Sequence, residues 1–264
     1  MTDRVLVEVQ DHIAQVRFNR PEKHNALDYD QFRAILEAGQ SLLTRKDVRA
    51  VVLSGNGPSF CSGLDFSSFA EVPKLMQHAF APVEGEVANN AQYVPWVWRR
   101  IPVPVIAALH GAVYGGGCQI ALAADIRIAH PETKLSVMEM RWGLIPDMTG
   151  SQSLRQLVGI DVAKELTFTA RVLDGREARE LGLVTRLADD PLAAALKLAQ
   201  EIAARSPTAM RAAKHLLDAN WHADEKNGLE LEARLQKAQL GSPNQMEAVM
   251  AGMQKRPAKF SDPK

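Results

Sequence analysis

The chain has 264 residues, room for one large domain or two modest ones, and 46% of them are apolar, which excludes a disordered chain. Lys plus Arg number 31 and Asp plus Glu 31, so no net charge draws the protein to nucleic acid or to an anionic membrane surface. Cys61 and Cys118 are too few for a disulfide framework or a structural zinc site.

The opening MTDRVLVEVQ has neither the apolar run of a signal peptide nor an Arg/Ser-rich transit pattern, so the expectation is a soluble protein of a reducing compartment, the cytoplasm. Val5 to Val9 and Ile13 to Phe18 alternate as two strands joined through Gln10-Asp11-His12. After Asn19-Arg20-Pro21, the spacing of Leu27, Phe32, Ile35, Leu36, Leu42 and Leu43 predicts a helix. Ala50 to Leu53 reads as a buried strand ending in the turn residues Ser54-Gly55-Asn56-Gly57-Pro58. Between Phe66 and Arg100, Pro73, Pro82 and Pro95 interrupt the pattern, which predicts broken helices covering a pocket.

From Ile101 to Ala124 there is no Asp, Glu, Lys or Arg over 24 residues, long enough to span a bilayer. Pro102, Pro104 and the run Gly115-Gly116-Gly117 break it, so the segment reads as a buried strand (Val103 to Leu109), a glycine turn and a buried helix start (Cys118 to Ala124). Ile126 to Ala129 is a further strand. Strand, turn, helix and strand recurring in this way predict an α/β fold with a predominantly parallel sheet layered with helices. From Asp161 onward the pattern is almost wholly helical, with breaks near Gly175, Gly182, Pro191 and Ser206-Pro207. The tail is basic, with Lys255, Arg256, Lys259 and Lys264 against Asp262; it reads as a solvated end or as a contact for phosphate.

Two glycine turns each follow a buried strand: Ser59-Phe60-Cys61-Ser62-Gly63-Leu64-Asp65, and His110-Gly111 through Gly115-Gly116-Gly117-Cys118. Glycines at such turns let backbone N–H groups face a ligand, and a helix starting there adds the positive end of its dipole. Two N–H groups converging on one oxygen stabilise a developing oxyanion by about 3–4 kcal/mol per donor. The alternative is that both turns only allow close packing. GxGxxG, GxxxxGK[ST] and GxSxG are all absent, so nucleotide-binding and serine-hydrolase readings have no support. The seven histidines show no ligand spacing, so no metal is assigned.

The sequence resembles the crotonase (enoyl-CoA hydratase/isomerase) family along essentially its whole length. The resemblance rests on Asn19-Arg20-Pro21 through Asn25-Ala26-Leu27, on the two glycine turns, on Gly143-Leu144-Ile145-Pro146, and on Arg176 through Ala178 with Glu180 to Gly182-Leu183-Val184. It implies a ClpP-like spiral of repeated ββα units over residues 1–200, carrying the CoA and active sites. A C-terminal helical segment, residues 201–264, would assemble a homotrimer, or a hexamer of two stacked trimers. By the same resemblance, the Leu64 and Gly116 N–H groups form an oxyanion hole for the thioester of an acyl-CoA. Coenzyme A is then part of the substrate and no separate cofactor is implied.

Family hydratases use two glutamates; Glu139 matches the second, but Gln119 stands in the place of the first, and a neutral amide is no general acid or base. Family dienoyl-CoA isomerases have an aspartate where Asp147 falls, eight residues after Glu139, and normally another where Gln119 stands, so the match is partial; two carboxyls facing one pocket push their pKa values apart. Asp147 is otherwise a loop residue or helix cap. The remaining binding contacts implied are Lys23 near the CoA phosphates, Cys61, Gly63 and Asp65 in the first turn, Gly115 and Gln119 at the second, and Phe260 reaching a neighbouring subunit's CoA. Cys61 and Cys118 are either small packing residues or, with His110 as base, a nucleophile. Gly252, where the family often carries an aromatic ring, implies a roomier acyl pocket. The readings are an enoyl- or dienoyl-CoA isomerase in fatty acid metabolism, an enoyl-CoA hydratase (lyase) with an altered acid/base pair, or a non-catalytic acyl-CoA binding scaffold.

Overall fold

The structure is a computed structural model and describes residues 4–66 and 77–263. Strand β1 (Val5–Gln10) turns back on β2 (Ile13–Phe18) through Asp11 and His12, both at positive φ, the two-residue turn whose twist suits a hairpin. From β2 the sheet continues in parallel through β3 (Ala50–Gly55), β4 (Val105–Leu109), β6 (Ile126–Ala129) and β8 (Arg186–Leu187), giving the order β1-β2-β3-β4-β6-β8. A second layer holds β5 (Ala112–Tyr114) parallel to β7 (Lys134–Ser136). Single bridges extend that layer to Cys61, which pairs with Val113, and to Leu173, which pairs with Leu135.

At the centre of the large sheet both faces are covered, so β3 and β4 are buried along almost their whole length, whereas the edge strand β1 is partly exposed and β2 alternates. On β3, Val51 and Leu53 enter the main core with Phe18, Phe60 and Trp98. Ala50 and Val52 point the other way, onto Ala195, Ala199 and Ala203 of α7 (Pro191–Ala203). Residue 200, the expected end of the core, therefore falls inside a helix that belongs to it.

Helix α1 (Tyr29–Leu42) starts later than the periodicity suggests. Asp28 caps it by accepting from the Gln31 N–H at 2.8 Å, which leaves Leu27 outside, bridged to Leu64. Helix α2 (Asn90–Arg100) runs through Pro95 instead of breaking there. Asn89 and Gln92 close a capping box at its start, and burial of Tyr93, Val97 and Trp98 offsets the hydrogen bond that proline cannot make. Part of the segment expected to form broken helices, residues 67–76, lies outside the described residues. Helix α3 spans Gly116–Ala123, α4 Gly150–Leu157 and α5 Ile160–Thr169.

Gly175 is the first residue of α6 (Gly175–Glu180), not a break; Asp174 caps it, and a Cβ on Gly175 would stand 2.2 Å from the His130 carbonyl oxygen. β8 interrupts the expected helical stretch and is too short to leave a periodic signal. The chain closes with α8 (Pro207–Asn220), α9 (Glu225–Gln239) and α10 (Pro243–Met253). Arg211 of α8 donates to the Arg45 and Val48 carbonyls, and Lys214 pairs with Asp125. No helix of the described residues is long and apolar enough to cross a membrane.

Candidate active site

The loop after β2 is built around Asn25, buried and left-handed, a conformation asparagine tolerates. Its Oδ1 accepts from the Arg20 N–H at 2.8 Å, and its Nδ2 donates to the Asn56 carbonyl at 3.0 Å and the Ser59 carbonyl at 2.8 Å. The loops after β2 and β3 are thereby joined. Arg20 adds a charged tie: it lies 2.7 Å from Asp65 Oδ2 and 3.2 Å from Asp28 Oδ2.

The two glycine turns touch. A Cβ on Gly63, at φ +85°, would stand 2.7 Å from the Tyr114 carbonyl oxygen, so only glycine allows that approach. Leu27 N–H donates to the Gly63 carbonyl and Asp65 N–H to the Leu27 carbonyl, which turns the Leu64 amide away from Leu27. Gly116 is the first residue of α3, so its N–H lies at the positive end of that helix. Neither the Leu64 nor the Gly116 N–H has an acceptor among the described residues.

Glu139 opens the short 3-10 turn Glu139–Trp142 and is buried. Its Oε1 accepts from Gln119 Nε2 at 2.6 Å and lies 3.3 Å from where a Gly115 Cβ would be; its Oε2 is buried with no hydrogen-bond partner. Burial pushes the Glu139 carboxyl above the ordinary glutamate range, the Gln119 hydrogen bond opposes that rise, and the Asp147 charge adds to it. Asp147 is exposed as a residue, yet protein packed around its carboxyl displaces enough water to raise its pKa too. Gln119 is fully buried, and its Oε1 accepts from the Met148 and Gly150 N–H groups, each at 2.9 Å. Between them Thr149 sits at φ +62°, a left-handed conformation that costs a β-branched residue about 1–3 kcal/mol.

Two cavities meet at this point. An open cleft of about 520 Å³ is lined by Lys23, His24, Asp65, Tyr114, Gly115 and Trp142 among others. A more apolar cavity of about 330 Å³ is lined by Leu27, Phe32, Phe80, Ile145, Asp147 and Met148 among others. Leu64, Gly116, Glu139 and Leu144 line both. The two free amides and the buried carboxyl therefore stand at the junction, with Lys23 on one side and Asp147 on the other.

Several expected contacts lie elsewhere. Cys61 lines neither cavity: its thiol donates to the Asn25 carbonyl, and burial pushes its pKa up to about 12. Burial raises Cys118 as well, and His110 Nε2 contacts the Gly57 carbonyl at 2.9 Å, so the nucleophile reading falls and both cysteines are packing residues. Gln119 does not face the cleft but lies behind Glu139. The Asp65 carboxylate lines the cleft but is engaged by Arg20. The Phe260 carbonyl accepts from Arg49, which precedes β3 at the sheet end opposite these turns, so Phe260 is not part of this chain's own cleft. Gly252 is exposed and lines neither cavity.

Sequence reasoning gave no part to Tyr114, Trp142, Arg20 or Asn25. The last two stand in a segment that carries the resemblance, but their tying role shows only in three dimensions. No group of three or more His, Cys, Asp or Glu able to hold a metal occurs among the described residues.

A six-stranded sheet with a second β layer places two free amides and a buried carboxyl at the junction of a polar cleft and an apolar one, an arrangement that suits an enzyme stabilising a developing oxyanion. The profile of the enoyl-CoA hydratase/isomerase family matches residues 8–263, and the chain belongs to that family. It is 32% identical to the mitochondrial methylglutaconyl-CoA hydratase of Mus musculus, over 97% of this chain and 82% of that protein. It is 34% identical to the mitochondrial Δ(3,5)-Δ(2,4)-dienoyl-CoA isomerase of Mus musculus, over 96% of this chain and 80% of that protein. The crystal structure of an enoyl-CoA hydratase from Bacillus anthracis, 27% identical, matches with a TM-score of 0.89 over 97% of this chain and 98% of that one. The fold is thus the crotonase fold, as the resemblance implied.

Proposed function

We propose that the protein binds an acyl-CoA thioester across the two cavities and shifts double bonds along its acyl chain, an enoyl- or dienoyl-CoA isomerisation in fatty acid metabolism. The Leu64 and Gly116 amides receive the thioester oxygen, and Lys23 stands at the mouth of the cleft for the CoA phosphates. Glu139, ionised, takes a proton from the acyl chain. The electron pair of that C–H bond moves through the conjugated system onto the thioester oxygen, where the two amides hold it. When the enolate collapses, a remote carbon takes a proton from Asp147, and mass is unchanged. One carboxyl must start ionised and the other protonated, and the pair titrates together. This proton shuttle needs no cofactor.

The observation that carries this reading is that, among the described residues, Glu139 and Asp147 are the two titratable side chains lining the apolar cavity, while the position of a hydratase's other glutamate holds an amide facing away from it. Exposed apolar side chains on the C-terminal helices, among them Leu217, Trp221, Leu229 and Met253, support assembly into trimers. The test is incubation with 3,5-dienoyl-CoA, 3-enoyl-CoA and crotonyl-CoA, followed by absorbance and product mass. Isomerisation without mass change is the expected result. Gain of water by crotonyl-CoA as the main reaction would make the protein a hydratase, and binding without turnover of any thioester would make it a scaffold.

A further inference from the structure

Gln119 is fully buried between the two elements that carry the carboxyls. A carboxamide offers donors at one end and acceptors at the other. Its nitrogen donates to Glu139 Oε1 at 2.6 Å and its oxygen accepts two N–H groups, from Met148 and Gly150, at 2.9 Å each. The opposite orientation would set an acceptor against a carboxylate and donors against donors, so the network fixes the amide's direction. The fit is close: a Cβ on Gly150 would stand 2.7 Å from Gln119 Oε1. The two N–H groups flank left-handed Thr149, so the turn following Asp147 is held open by that one oxygen.

We propose that Gln119 is a positioning residue that couples the two proton-carrying carboxyls. It fixes Glu139 through Oε1, leaving Oε2 for the substrate, and holds the turn that sets Asp147 across the apolar cavity. The proposal rests on the reading of Glu139 and Asp147 as the acid/base pair. A glutamate at 119 would keep the acceptor but set a second negative charge against Glu139. An apolar side chain would leave two N–H groups and a carboxylate oxygen buried and unpaired. Among the described residues, Asp147 on the following turn acts on Glu139, Glu139 in turn adds to the burial that raises the Cys118 thiol on α3, and Lys23, His24 and Asp65 line the same cleft.

The test compares wild type with Gln119→Met and Gln119→Glu by two measurements, the pH profile of turnover and hydrogen exchange at the Met148 and Gly150 amides. Gln119→Met is expected to lower kcat about 10²-fold with little change in KM. Its acid limb should move to higher pH, because Glu139 loses a donor that favours its charged form, and both amides should exchange faster. Gln119→Glu should restore the slow exchange but keep the acid limb high. Unchanged exchange in Gln119→Met, or profiles that superimpose across all three proteins, would overturn the proposal. If the wild type turns over no thioester, the isomerase reading fails by itself; titration of the Glu139 carboxyl by infrared difference spectroscopy then gives the same comparison, and identical titrations in all three overturn the coupling.

Discussion

Gly117 lies so close to Cys61 that a Cβ on it would stand 2.4 Å from the Cys61 carbonyl oxygen and 2.7 Å from the Cys61 Cβ. The contact joins α3 to the first glycine turn, and so sets the Leu64 amide relative to Gly116. Gly117→Ala must drive the two apart. Overpacking of this kind costs about 1–3 kcal/mol, and displacing the amides by an ångström costs about 10² in rate. Urea unfolding and kcat measure the two losses. Gly252→Ala is the control: a Cβ there meets nothing within 4 Å on a helix, so it should be neutral or slightly stabilising.

Glu139→Gln removes the proposed base and should lower kcat about 10²- to 10⁴-fold while acyl-CoA binding, measured by calorimetry, is retained. Its effect on stability has a definite sign. Folding raises the Glu139 pKa above its ordinary value of 4.5, so the folded state holds this proton more tightly than the unfolded one. The contribution to stability is then greatest below the ordinary value and is lost as pH rises through the raised one. The variant, which cannot ionise there, should melt higher than wild type at pH 7.5, with the gap closing toward pH 4. Parallel melting temperatures across that range would contradict the burial argument.

The thiols make a separate test of the packing role. Burial pushes Cys61 up to about 12 and raises Cys118 as well, so neither is a thiolate at pH 8. The native protein should not react with a chromogenic disulfide reagent, and both thiols should titrate once it is unfolded. A fast-reacting native thiol would revive the nucleophile reading.

Arg20 holds Asp65, with its side chain largely buried, on one side and Asp28 on the other. Arg20→Met removes the guanidinium that both carboxylates face and should cost about 3–5 kcal/mol by chemical denaturation. Adding Asp65→Asn should recover part of that loss, since one of the two buried negative charges that Arg20 offset is then gone.

The alternating strands and the two glycine turns were legible in the sequence because each depends on local chemistry, and Glu139 was legible through the segments around it. What stayed hidden depends on three dimensions. Leu27 has helical spacing, but the Asp28 cap leaves it outside the helix, bridged to Leu64. Gln119 reads as a contact in the cleft, whereas folding turns its amide onto Glu139 and the backbone at 148 and 150. The anchoring of the tail is equally hidden: Arg49 donates to the Phe260 carbonyl and to Asp262, and Asn244 pairs with the Ser261 backbone.

Asp147 separates the isomerase from its rivals most directly, because it lines the apolar cavity and not the cleft where Lys23 lies. If Glu139 takes the first proton and Asp147 returns one at a remote carbon, Asp147→Asn should block only the second step. With 3,5-dienoyl-CoA in D2O, product should form about 10²-fold more slowly, while deuterium still enters the carbon that Glu139 deprotonates. Mass spectrometry of recovered substrate measures that exchange. Loss of exchange together with turnover would make Asp147 the first base, and full activity would reduce it to a loop residue. The folded pKa of Asp147 is raised, so the wild-type rate should decline at alkaline pH as this acid gives up its proton, and the variant's residual rate should lack that limb.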